Sequence, residues 1–364
     1  MKHHMFKVLA LVCALILLTV SAMAEGLDIC ILSSTGVDDG SFIQDCYTGI
    51  LDFIATHDDC NVTDIKEPDY AQLIPTVEKL AGDYDVFVLP SHHYATIGDV
   101  VINNPDTYFI VVDTPIQDSE GNPVTENNVY TMTFKEQEGG FFSGVAAALS
   151  TKSGKVAVVN GMPFPTNVSY EYGFMAGVNY ANAHYGSTAE CVELPSYAGT
   201  DLYGNDVGGN YVGDFGDEAA GKVVGEALIQ EGCDVLFVAA GASGNGVFTA
   251  AKENPGVFVI GCDVDQYKDG ATGSGNIILT SCLKDMHSNV TRQLEAIYNG
   301  TFIGQDALLG ADTDSTGYVS TEGHQQLSED ALAKLSECYE LVKSGEIVPP
   351  SDTLYAPNDF PGLN

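Results

Sequence analysis

Asp38, Asp39 and Phe42, within "TGVDDGSFIQDCYTGI", follow closely on the apolar run "LDICILSS". The pattern recurs along the chain. Asp113 closes "YFIVVD", Gly241 follows "VLFVAA", and Asp263 and Asp265 follow "VFVIGC". Ionised carboxylates accept hydrogen bonds, an aromatic ring offers a flat apolar face, and glycine lets backbone approach a ligand. Each aspartate alone reads as a helix cap or a turn. Four strand ends carrying such residues read as one ligand site, because open α/β sheets bind ligands beyond the carboxyl ends of their strands. Asp38 and Asp39 are neighbours on extended backbone and point opposite ways. That suits capping plus ligand contact better than a dyad sharing one proton.

Catalytic and metal chemistry find little support. "GASGNG" (241–246) lacks the spacing of a nucleophile elbow, of the dinucleotide fingerprint and of the phosphate loop with its lysine. It reads as a tight turn that brings backbone to a ligand. "DTDSTG" (312–317) begins like a calcium loop, but its twelfth position is Gly323 rather than Glu. His92 and His93 in "SHHY" have no nearby carboxylate or third histidine, so the surface or a turn is their expected setting. No nucleophile, base and oxyanion hole assemble. The expectation is a binding protein, not an enzyme, with no metal and no cofactor.

Alternating elements must hold these residues in place. "LDICILSS", "YDVFVLP", "TYFIVVDT", "GKVAVVN", "CDVLFVAA", "GVFVIGCD" and "NIILTSC" are short, β-branched or aromatic, and apolar on both faces, as strands of a covered parallel sheet are. Helical patterns separate them over residues 44–57, 70–81, 136–150, 168–184, 217–231, 246–254 and 284–298, with another at 328–344. The fold class is α/β, doubly wound. A chain of 364 residues is long enough for two lobes. The polar, turn-rich "TPIQDSEGNPVTENNVYTMTF" marks the passage between them, and "VDQYKDGATGSGN" reads as a return crossing. The N-terminal lobe is expected over 25–130 plus about 265–305, and the C-terminal lobe over 131–264 plus about 306–364. Residues 196–213 read as a long loop at a cleft rim.

Acidic residues number 50 against 14 Lys and Arg, a net charge of −36. Such a field repels phosphate backbones and anionic lipid, which argues against nucleic acid as a partner. Residues 1–24 read as a signal peptide: a basic start, an apolar core too short to span a bilayer, then Ala22-x-Ala24. Val12 before Cys13 argues against a lipoprotein anchor, so export in soluble form is expected. The eight remaining cysteines permit disulfides, or pack as small hydrophobes where they lie in strands. Four glycosylation sequons, at Asn61, Asn167, Asn289 and Asn299, read as chance occurrences.

"TGVDDGSFIQ", "FKEQEGGFFSGVAAAL", "GFMAGV", "YVGDFGDEAAGK", "AAGASGNGVFTAAKE", "VIGCDVDQ" and "LTSCLKDM" stand in the order of their counterparts in the basic membrane protein family. The chain resembles that family over about residues 27–298. Its members are type I solute-binding proteins of ABC importers, related to purine-nucleoside receptors. The resemblance implies two Rossmann-like lobes joined by a multi-strand hinge, with a nucleoside between them. Phe42 and Phe215 resemble the aromatics that sandwich the base, at roughly 1–3 kcal/mol per stacked face. Asp113 looks like the carboxylate that reads a base edge. Asp263 resembles the one accepting from ribose hydroxyls, with Lys284 beside it on the sugar side. Ile43 stands where the family often carries Asn, which removes a hydrogen-bonding group beside the base.

The resemblance thus implies a monomer at the periplasmic or extracellular face that captures a nucleoside and hands it to an ABC permease. Two alternatives stay open. One is the same scaffold binding another small polar ligand, a sugar or a signalling molecule, for import or for a sensor kinase. The other is a secreted α/β hydrolase.

Overall fold

Uninterrupted apolar runs have no solvent face to offer, so they pair with one another and are covered on both sides. The computed structural model describes residues 26–351, and in it these runs build two sheets. The first takes β1 (Asp28–Ser33), β2 (Asn61–Lys66), β3 (Val86–Pro90), β4 (Tyr108–Val112) and β5 (Val129–Phe134), with α1 (Phe42–Ile54), α2 (Leu73–Leu80) and α3 (Gly98–Asn103) between them. At Lys135 the chain crosses into α4 (Glu136–Ser150) and the second lobe. There follow β6 (Lys155–Asn160), α5 (Pro165–Tyr185), β7 (Glu190–Cys191) and a small hairpin of β8 (Gly199–Thr200) and β9 (Asp206–Gly208). Then come α6 (Glu218–Gln230), β10 (Val235–Ala239), α7 (Gly244–Glu253), β11 (Phe258–Gly261) and β12 (Ile278–Lys284). A second crossing at Asp285 returns to the first lobe with α8 (Met286–Tyr298) and β13 (Gln305–Leu309). A third leads to β14 (Thr316–Tyr318) and α9 (Glu329–Lys343) on the second lobe.

The two sheets repeat one order, β2-β1-β3-β4-β5-β13 and β7-β6-β10-β11-β12-β14. All these pairs are parallel except β12 with β14. Each lobe has apolar layers on both sides of its sheet, for example Ile29 and Val88 on one side of the first and Cys30 and Phe87 on the other.

Sheet membership moves the expected lobe boundaries. Residues 264–276 are not a return crossing, because β11 and β12 on either side pair within the second sheet. The segment folds back on itself instead, Ile277 N–H donating to Gly270 O and Thr272 N–H to Gly275 O. Ile278 and Leu279 then bury in the second lobe's core, which fixes β12 there. The eight cysteines after residue 24 are free thiols, and all but Cys191 are buried. They pack as small hydrophobes rather than as disulfides.

Candidate functional site

The carboxyl ends of the two sheets face one another. Pro90 pairs with Val112 across β3 and β4, so the residues just beyond, Ser91–His92 and Asp113, leave the first sheet side by side. From the second lobe come Gly241 after β10 and Asp263 after β11. Asp39, Phe42, Asp113, Phe215, Gly241, Asp263 and Lys284 all line a single cavity between the lobes. Asp38 does not: it is exposed and lines an outer groove with Lys66 and Asp214. The two adjacent aspartates divide because successive side chains on extended backbone point to opposite sides.

Asp39 is the capping member. Its Oδ1 accepts from Ser41 N–H and Gln44 N–H and its Oδ2 from Ile43 N–H, at 2.9–3.1 Å, so it closes the first turn of α1. Burial pushes its carboxyl upward, although the three N–H groups pull the other way. That cap sets Phe42, the first residue of α1, at the cavity wall. Asp113 and Asp263 occupy equivalent positions after the fourth strands of their sheets, and both have left-handed backbone, φ 75° and 71°. Outside glycine this conformation is tolerated best by short polar side chains, and it clusters at functional sites.

Lys284, the last residue of β12, is the only cation among the lining residues. It is 2% exposed, and its Nζ lies 2.5 Å from Asp113 Oδ1 and 3.0 Å from Glu136 Oε1. The rings of Phe42 and Phe134 stand 5.0 Å away on other sides. Burial works against the ammonium, but Asp113, Glu136 and Asp263 more than offset it and hold it protonated. Desolvation raises the carboxyls of Asp113 and Glu136, with Lys284 opposing. The cluster sits where the chain passes between lobes, beside the crossings at Lys135 and Asp285. Asp263 keeps one oxygen for Ser41, whose Oγ donates to Oδ2 at 2.7 Å, and the other for Tyr170 OH at 3.4 Å.

A second group of aromatic residues also lines the cavity. Phe215 lies against Gly161, where a Cβ would come within 2.2 Å of its ring, and against Gly241, which has φ 53°. Phe164 stacks on Phe215 with centroids 6.0 Å apart. His92 and His93 reach across from the first lobe to within 5.0 Å of Phe164. Burial lowers both histidines, His93 to about 4, so both are neutral at physiological pH. With the Ser41–Asp263 bond, and Gln266 Nε2 donating to Gly40 O at 3.2 Å, these contacts draw the lobes together around the cavity.

Sequence reasoning did not find Phe164, Asn167 and Tyr170 as lining residues, nor Glu136 beside Lys284, and it left His92 and His93 at the surface or in a turn. Strand ends were the available signal for two of them: "SHHY" follows β3 as closely as Asp113 follows β4. Asn167, 5% exposed, registered only as a sequon. Among the described residues no group of three or more His, Cys, Asp or Glu is arranged to hold a metal ion.

Two parallel-sheet lobes closing on a cavity through three chain crossings define a type I periplasmic solute-binding protein. A solute-binding protein of an ABC transporter system from Aeropyrum pernix K1 shares the fold, with a TM-score of 0.75 at 22% identity over 90% of this chain and 94% of that one. Residues 27–188 and 205–352 match the Bmp family, ABC transporter substrate-binding protein PnrA-like, and the chain belongs to it. The stretch between the two matched ranges, 189–204, contains the start of the long loop. A CD4+ T-cell-stimulating antigen of Listeria monocytogenes is 30% identical over 335 residues, 86% of this chain and 85% of that one. The ABC transporter nucleoside-binding protein BmpA of Lactococcus lactis is 31% identical over 214 residues, 56% of this chain and 53% of that one. No helix among the described residues is long and apolar enough to cross a membrane, and the expected signal peptide lies outside those residues.

Proposed function

We propose that the protein is an exported, monomeric receptor that closes its lobes on a nucleoside and delivers it to an ABC permease. The observation that carries this reading is that Phe42 and Phe215, one from each lobe, line the same cavity. A base has two π-faces, and two aromatic plates on separate lobes make its stacking energy depend on closure. The name of the Lactococcus relative supports the same ligand class. Asp263 and Lys284 serve the ribose. Asp113 joins them in our reading, away from the base edge that the resemblance implied, because it touches Lys284 and its carboxyl feels the charge of Asp263. Ribose hydroxyls are donors as well as acceptors, and carboxylates that only accept suit them.

Isothermal titration with adenosine, guanosine, inosine and uridine tests the ligand class. At least one purine nucleoside is expected to bind, and Phe42→Ala and Phe215→Ala each to weaken it roughly 5- to 100-fold. Absence of heat and of thermal shift with all four would overturn the reading.

Charge gives a second expectation. Asp113, Asp263 and Glu136 act on one ammonium and Asp39 lines the same cavity, so a phosphate brought into it meets uncompensated like charge, at a cost of several kcal/mol. Adenosine 5′-monophosphate should therefore bind at least about 100-fold more weakly than adenosine in the same titration. Equal affinities would show that the phosphate stays outside the acidic cluster.

A further inference from the structure

Asn167 stands in the third position of α5, 5% exposed, on the wall of the ligand cavity. Its amide has a defined orientation. One side lies 2.8 Å from the main-chain carbonyl of Ala239, which can only accept, so that side must be the Nδ2 amino group. The same nitrogen donates to Asn160 Oδ1 at 3.2 Å. Asn160 is in turn fixed, because its own Nδ2 donates to Glu171 Oε2 at 3.2 Å. All three side chains are buried, so the two amides and the Glu171 carboxyl form a rigid second-lobe feature and not a surface accident.

Both donors of the Asn167 amide thus face protein, and its Oδ1 is left over. Among the described residues no donor reaches that oxygen. An acceptor on a nearly buried side chain without a partner is costly unless a ligand or water supplies one. The position beside Phe42 lacks the polar group that it would need to read a base. Ile43 is apolar, 6% exposed and lines the same cavity. The second lobe offers the replacement.

We propose that Asn167 Oδ1 accepts a hydrogen bond from an N–H group on the edge of the bound base, making Asn167 a specificity-determining residue of this receptor. The proposal rests on the nucleoside reading and deepens it. The ligand class it selects is a base with an N–H donor on that edge, such as the N6 amino group of adenine or the N1–H of hypoxanthine. A purine with neither donor leaves Oδ1 unpaired and is rejected, because the site is built around the bond.

Purine riboside supplies that probe, since it keeps the ring and the ribose but has no N–H on this edge. In titrations of the full chain, adenosine or inosine should bind about tenfold more tightly than purine riboside. In Asn167→Leu, which has no acceptor, that ratio should fall to within about twofold of one, whatever happens to the absolute affinities. Asn167→Ala gives the same readout if the leucine variant does not fold, and thermal melting decides which to use. A wild-type ratio near one, with nucleosides binding, overturns the role of Asn167 and leaves the nucleoside reading intact. A tenfold ratio that survives both substitutions also overturns it, assigning the donor's partner elsewhere. No binding of any nucleoside overturns both readings together.

Discussion

Replacing Lys284 with methionine is expected to remove about 3–5 kcal/mol of folding stability at pH 7.5, and to abolish ligand binding where the variant still folds. Methionine fills a similar volume among Phe42 and Phe134 but carries no charge. Asp113 and Glu136, both held against the ammonium, are then left as buried carboxylates with no counterion. Total stabilities of 5–15 kcal/mol are typical of domains, so the loss is a large fraction of the whole. Comparing urea unfolding of the two proteins measures it. A difference under 1 kcal/mol would show that the cluster carries no net attraction.

The pH dependence of the variant has a definite sign. Burial already raises the Asp113 and Glu136 carboxyls above their ordinary values of 3.8 and 4.5 with the lysine present, and its removal raises them further. The folded variant therefore holds protons that the unfolded chain has released. Its stability is highest below the unfolded values and falls as pH rises from about 4 through the raised folded values. The defect should be smaller at pH 5 than at pH 7.5. Glu136→Gln combined with Lys284→Met should recover part of it, since one buried charge is then gone. A defect independent of pH would point to packing rather than charge.

How much of this was legible in the sequence depends on where the determining contact lies. The central strands announced themselves because burial on both faces leaves a continuous apolar run, as in "VFVLP" and "YFIVV". Edge and hinge strands did not. β2 reads "NVTDIK" and is largely exposed, while β13 and β14 are set by pairing with β5 and β12 across the chain crossings. No local pattern distinguishes such strands from loop. The candidate site divides in the same way. Phe42, Asp113, Gly241 and Asp263 were visible because sheet topology makes strand ends special positions. Glu136 and Asn167 owe their places to contacts that only the folded chain creates, with Lys284 in one case and the Ala239 carbonyl in the other. The segment 264–276 misled for a related reason. Its glycines and polar residues mark a turn, but the lobe to which a turn returns is set by the core that β12 joins.

A second large effect is expected at a position that touches no ligand. Gly144→Val should destabilise the protein by about 3 kcal/mol or more and weaken ligand binding in any folded fraction. α4 and α5 pack backbone against backbone. A Cβ at Gly144 would lie 2.1 Å from Phe174 O, and one at Gly140 would lie 2.2 Å from Tyr170 O. From the other helix, Cβ atoms at Gly173 and Gly177 would meet Gln137 O and Phe141 O at 2.2 and 2.1 Å. The obstacle is main chain in every case, so no rotamer change relieves it and the helices must separate. α5 also carries Asn167 and Tyr170 to the cavity, and Tyr170 OH reaches Asp263 at 3.4 Å. Moving α5 outward therefore displaces one wall of the site, which links helix packing to ligand affinity. Gly82→Ala is the control, because its added Cβ meets nothing within 4 Å. It should leave the urea midpoint and the ligand affinity nearly unchanged, whereas the Gly144 variant loses both. Retention of wild-type affinity by folded Gly144→Val would mean that the glycine seam stabilises the lobe without positioning the site.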